Sequence, residues 1–253
     1  MLQDIILLIT GLAVGAMNAI AGGGMLLGFP VMLATGISPI HANASAAVAT
    51  LPGSLSSAFG YRKYLRQIPK QYLWLIVPCA IGATIGALIL RRTPPGNFEE
   101  IVPALVLFAV LLFALQPLLH FHLHKHLHGK SKGDFTLLWI SIGFLPTAIY
   151  GGYFGAGFGF IVLAFLGFTS LKDIHKMNAL KNLAGATIAT ASIATLWNSG
   201  LIDWHHGLVM AVGSTIGGFC GAKLSQRVST HAFRIGVISF GLLAVAYLAF
   251  RTY

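Results

Sequence analysis

Acidic side chains are scarce in this sequence, and those present avoid its apolar runs. The 253 residues include only six aspartates and glutamates, all in loops or at the ends of apolar runs. A cation buried in a membrane needs a partner such as a carboxylate. The shortage therefore argues against a cation as the transported substrate and permits an anion. It also leaves histidine, or no residue at all, to couple protons.

Charged residues of either sign make up only 9% of the chain, whereas hydrophobic residues make up 56%. A soluble globular domain carries about 25% charged residues. The apolar runs are long enough to cross a hydrocarbon core roughly 30 Å thick, and a backbone in lipid satisfies its hydrogen bonds as helix. We therefore expect an all-α polytopic membrane protein embedded in a lipid bilayer.

The sequence also lacks the residue sets of common enzymes. It contains no Ser-His-Asp set in one neighbourhood, no HExxH and no P-loop. We therefore expect no enzyme and no cofactor, and ATP-driven transport by this chain alone is disfavoured. The net charge of +10 lies in short gaps between apolar runs. This placement is typical of charge that sets membrane topology, and we expect no nucleic-acid partner.

An internal repeat is the most informative feature that is present. Gly82–Gly86 (GATIG) returns as Gly213–Gly217 (GSTIG), and a glycine cluster and an Ile-His…Asn-Ala segment return at nearly the same offset. Many secondary transporters are duplicated apolar units with the substrate site between the repeats. We divide the chain into a first membrane repeat (residues 1–119), a His-rich cytoplasmic linker (120–133) and a second membrane repeat (134–253).

Each repeat offers about five helical segments, and the first two of each half form a pair that is broken by glycine or re-entrant. The first half contains Ile5–Ala21, Met25–Thr35, Asn43–Tyr61, Tyr72–Leu90 and Ile101–Leu119. The second half contains Phe135–Tyr150, Phe158–Phe168, Asn178–Trp197, His205–Leu224 and Phe233–Phe250. Interrupted segments at matching places in two halves point to a transport site.

The basic residues indicate how the two repeats are oriented. If each broken pair enters the membrane and returns, the halves are inverted, and Arg91, Arg92 and Arg251 lie opposite the other 13 of the 16 Lys and Arg residues. If each pair crosses only once, the halves are parallel and the basic residues divide equally. The positive-inside rule favours two inverted repeats. Both termini are then expected outside the cytoplasm.

The glycine clusters are the first candidate binding elements. They consist of Gly22, Gly23 and Gly24 in the first half and Gly155, Ala156 and Gly157 in the second. Backbone amides at such breaks, near helix N-termini, suit an anion. The alternative is close helix packing, because small residues let membrane helices approach. Packing is the interpretation that we give to Gly82, Gly86, Gly213 and Gly217.

Polar residues that recur in both halves follow these clusters. Asn43 and Asn178 are predicted to begin the next helix, where asparagine serves as an N-cap and also faces a bound anion. His41 and His175 precede them, either as solvated loop histidines or as groups that couple protons. Lys181 lies one turn into an apolar helix. It either snorkels to the cytoplasmic interface or supplies a fixed positive charge to the pathway.

The linker holds a histidine at every second position from His120 to His128. On a helix, His120, His124 and His128 would share one face, which is a spacing that can bind a metal. A solvated basic loop is the alternative.

These motifs resemble the TauE/SafE sulfite exporter family of 4-toluene sulfonate uptake permease-type transporters. The resemblance lies in Gly-x-x-Asn-Ala-Ile-Ala-Gly-Gly-Gly over Gly15–Gly24, in Pro30, in the Asn43-Ala-Ser segment and in the duplicated Gly-Ala-Thr-Ile-Gly. It implies a permease of the bacterial inner membrane for sulfur-containing anions such as sulfite and organosulfonates. The positions that it carries over are Asn18, Gly22, Gly23, Gly24, Pro30 and Asn43.

We therefore expect a secondary transporter that moves a small oxyanion by alternating access. The anion would lie between the two broken elements, held by their amides with Asn43 and Asn178 and attracted by Lys181. A divalent-metal permease that uses the histidine tract is the alternative. A monomer and a homo-oligomer both stay open.

Overall fold

The computed structural model describes residues 1–20, 22–126, 133–169, 171, 173–225 and 231–252, and within them the chain forms helices and turns without a strand. The first-half helices are α1 (Leu2–Ile20), α2 (Met25–Ala34), α3 (Pro39–Gly60), α4 (Arg62–Leu65), α5 (Ile76–Arg92) and α6 (Pro95–His126). The second-half helices are α7 (Gly133–Tyr153), α8 (Phe158–Gly167), α9 (Ile174–Leu196), α10 (Trp204–Leu224) and α11 (His231–Thr252). A short 3₁₀ helix (Lys70–Leu75) leads into α5.

Several helices are long and apolar enough to cross a membrane. Among the described residues these are the four stretches Leu2–Ile20, Lys70–Arg92, Pro95–Leu112 and Trp204–Leu224. Large apolar side chains such as Trp74 are exposed on the surface, as they are on a surface that faces lipid. The prediction of an all-α protein with the helices of a polytopic membrane protein is confirmed.

Both predicted breaks occur where the glycine clusters lie. α1 ends before Gly22, whose φ is 96°, and α7 ends before Gly155, whose φ is 77°. The Gly22 N–H donates to Met17 O at 3.0 Å, and the Gly155 N–H donates to Tyr150 O at 3.1 Å. Positive φ angles are costly for residues with a Cβ. The glycines therefore let each half end one helix and start a short helix of ten residues.

The prediction that Asn43 and Asn178 begin helices is wrong. α3 starts at Pro39 and α9 at Ile174, so both asparagines lie about one turn inside. The cap of α9 is Asp173, whose side chain accepts from the His175 N–H at 2.9 Å. Pro39 occupies the first helical position of α3, where its missing N–H costs nothing. Because both helices begin before the predicted position, His41 and His175 lie in their first turns and not in preceding loops.

The predicted linker begins as helix. α6 continues through His126, so the first repeat does not end at residue 119 as a helical element. His120 and His124 lie on the backbone of α6, and residues 127–132, with His128, lie outside the described part of the chain. The hypothesis of a metal site on this tract therefore stays a prediction.

The packing partners of the two halves are exchanged. α1 packs on α10 and α5 packs on α7, which joins the first predicted segment of each half to the fourth predicted segment of the other. In the same way α3 packs on α10 while α9 packs on α5, and α2 packs on α11 while α8 packs on α6. The central helices α3 and α9 pack on each other. Each half therefore completes the core of the other.

The repeated GxxxG pairs form the seams between these partners. A Cβ at Gly82 would lie 2.6 Å from Leu145 O of α7, and Gly86 approaches the α7 backbone more closely still. In the other half Gly213 and Gly217 approach the backbone of α1 in the same manner. The interpretation of these four glycines as packing positions is confirmed, because membrane helices associate through such close contacts.

A methyl group in one seam is expected to destabilise the fold. Gly82→Ala should lower the free energy of unfolding by about 1–3 kcal/mol, the usual effect of overpacking. Gly96→Ala is the matched control, because Gly96 is also helical and nothing lies within 4 Å of its added Cβ. Melting temperatures of the purified protein measure both effects. Equal melting temperatures for the two variants would contradict close packing between α5 and α7 at Gly82.

Candidate functional site

The two glycine breaks contact each other. A Cβ at Gly22 would lie 2.8 Å from Gly159 Cα, and a Cβ at Gly159 would lie 2.7 Å from Gly22 Cα. A Cβ at Gly23 would lie 2.6 Å from the Phe160 ring. The breaks of the two halves are therefore in van der Waals contact at their backbones, and Gly22 and Gly23 have a packing role.

Asn18 holds the turn of the first break. Its Oδ1 accepts a hydrogen bond from the Gly24 N–H at 2.8 Å, so that amide is already occupied by protein. A Cβ at Gly24 would also lie 2.9 Å from this side chain. The asparagine of the Gly-x-x-Asn motif thus acts on the glycine cluster that follows it six residues later.

Lys181 closes the C-terminal end of α1. Its Nζ donates to Asn18 O at 2.7 Å, to Asn178 Oδ1 at 2.9 Å and to Ala19 O at 3.4 Å. The last carbonyls of a helix lack partners within it and carry partial negative charge, so an ammonium is a fitting donor. The side chain is 2% exposed, and the snorkelling interpretation is therefore wrong. Asn178 orients this ammonium through its carbonyl oxygen.

Asn43 closes the matching helix of the other half. Its Nδ2 donates to Tyr153 O, at the C-terminal end of α7, at 2.7 Å. Each central helix therefore donates a hydrogen bond to the C-terminal end of the broken helix in the opposite half, α3 to α7 and α9 to α1. The donors differ, since α7 receives a neutral amide and α1 receives a charged ammonium.

A cavity lies between α3, α9 and the break that follows α7. The volume open to the centres of water-sized spheres is about 50 Å³. One water needs about 10–15 Å³ by that measure, so the cavity suits a ligand of a few heavy atoms. Among the described residues, its lining includes no charged side chain. Its polar side chains are Asn18, Asn43, Thr50, Ser54, Tyr153 and Ser192.

Ser192 has the one buried lining hydroxyl that finds no hydrogen-bond partner in the described part of the chain. The residue is 4% exposed. Buried polar groups are nearly always hydrogen-bonded, to protein, water or ligand. By contrast, Thr50 donates to Ala46 O of its own helix at 2.8 Å. The Ser192 hydroxyl therefore has a hydrogen-bond donor that no described group of the protein uses.

The cavity collects only part of the predicted site. Asn18, Asn43 and Gly155 line it. The other candidates are not among the residues that line it, namely Gly22, Gly23, Gly24, Ala156, Gly157, Asn178 and Lys181. The sequence analysis did not single out Ser192. Its signal was available, because the lining residues Gly185, Ile188, Ala189, Ser192 and Leu196 follow the spacing of one helix face.

The two repeat-matched histidines also lie away from the cavity lining. His41 Nδ1 is 2.8 Å from Ser38 Oγ, at the start of α3. The His175 ring packs on Tyr64 with centroids 4.9 Å apart. Within the described residues no three His, Cys, Asp or Glu side chains are grouped to hold a metal ion.

Known sequences match this chain along most of its length. The family "Sulfite exporter TauE/SafE" matches residues 7–248. The chain belongs to the TauE/SafE sulfite exporter family. Members of this family are membrane transporters, so the TauE/SafE chain described here is a membrane transporter and not an enzyme. No solved structure matches it.

Curated relatives of this TauE/SafE chain carry general names. A "Probable membrane transporter protein" of Haemophilus influenzae is 27% identical and covers 97% of this chain and 94% of its own length. The "Probable membrane transporter protein YfcA" of Escherichia coli is 28% identical over 87% of this chain and 79% of its own. The "Probable membrane transporter protein ORF9" of Sinorhizobium is 27% identical over 98% of this chain and 93% of its own.

Proposed function

We propose that this TauE/SafE protein is a secondary transporter that moves small sulfur-containing oxyanions, such as sulfite or small organosulfonates, across the bacterial inner membrane. The observation that carries the proposal is the cavity between α3, α9 and the second break. It offers polar side chains and no carboxylate. A buried cation would find no counter-charge there, whereas an anion would find hydrogen-bond donors.

A positively charged side chain is bonded to a residue that lines this cavity. Lys181 Nζ is hydrogen-bonded to the backbone of Asn18, and Asn18 lines the cavity. In a dry protein interior a charge acts over longer distances than it does in water. Lys181 therefore attracts an anion without touching it, and it also holds the end of α1 in place.

Alternating access is supported by an asymmetry across the two breaks, with the cavity on one side and hydrogen bonds between helices on the other. The cavity is lined by Asn43–Ser54 of α3 and by Gly185–Leu196 of α9. On the other side of the breaks, Lys181 and Tyr61 both bond Ala19 O, the tyrosine hydroxyl at 3.3 Å. With two inverted repeats this closed side is the cytoplasmic one. The described conformation then presents its cavity toward the periplasm.

The proposed orientation places two exposed basic residues on opposite sides of the membrane. Lys63 lies in α4, before the span that contains α5, and Arg91 lies at the end of that span. In a background with Cys79→Ala and Cys220→Ala, we expect Arg91→Cys to react with an impermeant maleimide added to intact cells. Lys63→Cys should react only after the cells are opened. Labelling of Lys63→Cys from outside would reverse the proposed orientation, with both termini inside.

The proposed substrate class is tested by uptake into proteoliposomes. We expect uptake of sulfite or methanesulfonate and none of nickel ions. Ser192→Ala should weaken anion uptake about tenfold, the scale of one hydrogen bond to a charged group. Thr195→Ala is the matched control, because Thr195 bonds only Ala191 O of the same helix. Nickel uptake that disappears when the linker histidines become serine would instead establish the metal permease.

A further inference from the structure

A pair of stacked aromatic rings lies at the seam where α3 and α10 end. The Phe59 and Phe219 centroids are 6.2 Å apart, with an angle of 27° between the planes. The two helices are close here, because a Cβ at Gly60 would lie 2.7 Å from Ala222 Cβ. Phe59 is 59% exposed. The end of α3 therefore presents an apolar ring surface that the described protein leaves largely uncovered.

Each of these rings carries a cation. Arg62 Cζ is 4.5 Å from the Phe59 centroid, and Lys223 Nζ is 4.3 Å from the Phe219 centroid. Both basic side chains are exposed, and neither is paired with a carboxylate in the described part of the chain. Arg62 also donates to Phe59 O at 3.2 Å, which fixes the direction of its guanidinium. Two positive charges are therefore held over neighbouring apolar rings without neutralisation.

We propose that Arg62, Lys223, Phe59 and Phe219, here called the α3–α10 cation pair, bind an anionic phospholipid. The guanidinium and the ammonium contact the phosphate of the headgroup, which both groups bind well. The acyl chains extend along Leu55 and Ile216, which are 52% and 53% exposed. These residues precede Phe59 and Phe219 by about one helical turn, so they lie on the same faces, further into the membrane.

The surface fits a lipid better than it fits a soluble anion. Its two charges lie directly above an exposed apolar surface, and a free phosphate ion would leave that surface uncovered. The position also fits, since α10 is a candidate membrane span that ends at Leu224, beside Lys223. The site uses the last turn of α3, and none of its residues line the transport cavity. It is therefore independent of the proposed substrate site.

Native mass spectrometry of the purified full chain tests this site. Phosphatidylglycerol and phosphatidylcholine with identical acyl chains are added in detergent, and the fraction of protein with bound lipid is measured. We expect wild type to retain phosphatidylglycerol in preference to phosphatidylcholine. The variant Arg62→Gln/Lys223→Gln should reduce this preference by about 30-fold, since each of the two basic residues near an anionic headgroup contributes about fivefold.

The matched control is Lys63→Gln/Arg66→Gln, which removes two exposed positive charges from α4 and the residue after it. The described cation–ring contacts of this region are those of Arg62 and Lys223. It should change the preference by less than about twofold. The charge-preserving variant Arg62→Lys/Lys223→Arg should keep it, which separates a loss of binding from a failure to fold. Soluble glycerol phosphate should not displace the lipid. Equal losses in both glutamine variants, or none in either, would overturn the site, as would displacement by glycerol phosphate.

Discussion

Lys181→Met is expected to weaken anion uptake by at least about 30-fold. The substitution removes the ammonium that bonds Asn18 O and Ala19 O and leaves these carbonyls at the end of α1 without a donor. Hydrogen bonds to a charged group contribute about 1.5–3 kcal/mol each, and about 2 kcal/mol corresponds to roughly 30-fold. The loss of this positive charge acts in the same direction. Concentration-dependent sulfite uptake into proteoliposomes measures the change.

Lys176→Met is the control for this prediction, because it removes an equal charge from the first turn of the same helix. Its uptake should stay within about twofold of wild type, since a partly exposed charge is screened by solvent. Asn178→Ala should show an intermediate loss, because it removes the acceptor that orients the Lys181 ammonium. Normal uptake by Lys181→Met in a folded protein would show that the ammonium has no part in transport.

Gly22→Ala is expected to abolish transport and to lower the free energy of unfolding by about 2–5 kcal/mol. The φ of 96° is strained for alanine by about 1–2 kcal/mol. The added Cβ would also lie 2.8 Å from Gly159 Cα, and such overpacking costs about 1–3 kcal/mol. Because the neighbour is backbone, the two breaks would have to separate. Uptake assays and melting temperatures measure the two effects.

Two further glycines separate strain from contact. Gly36 has the same φ of 96° with nothing within 4 Å of an added Cβ, so Gly36→Ala should show the strain alone and transport normally. Gly159 lacks a positive φ but meets Gly22 from the other side. Gly159→Ala should therefore lose transport with a smaller loss of stability. If Gly22→Ala transports as well as Gly36→Ala does, the contact between the breaks is irrelevant to function.

Apolar runs and glycines predicted most of the fold. The short helices after each break start at Met25 and Phe158, the residues that the sequence analysis placed first in those runs. The GxxxG seams followed from composition in the same way, because a membrane helix interface depends on local side-chain size. The exchange of partners between halves was not predictable at this level, since it depends on contacts between residues far apart in sequence.

The candidate site was predicted less completely, and Asn43 and Lys181 show why. Asparagine is favoured as a cap, and this local preference placed Asn43 at a helix start. In the structure Asn43 instead donates to Tyr153 O, 110 residues away in sequence. Lys181 bonds a carbonyl 163 residues away. Both of these acceptors are backbone carbonyls, which every residue has. The residue types in the sequence therefore gave no sign of these two hydrogen bonds.

The C-terminal ends of α1 and α7 accept hydrogen bonds from different groups. This difference affects which conformation the empty transporter populates. Suppose that the inward-facing and outward-facing states interconvert when the two halves exchange conformations. A protein with identical halves would then populate both states equally. This chain has an ammonium at one helix end and a neutral amide at the other. A difference of about 1.4 kcal/mol between such closures would bias the empty protein tenfold toward one state. Under the proposed alternating-access mechanism, a single lysine in a duplicated scaffold would set which side of the membrane the empty carrier faces.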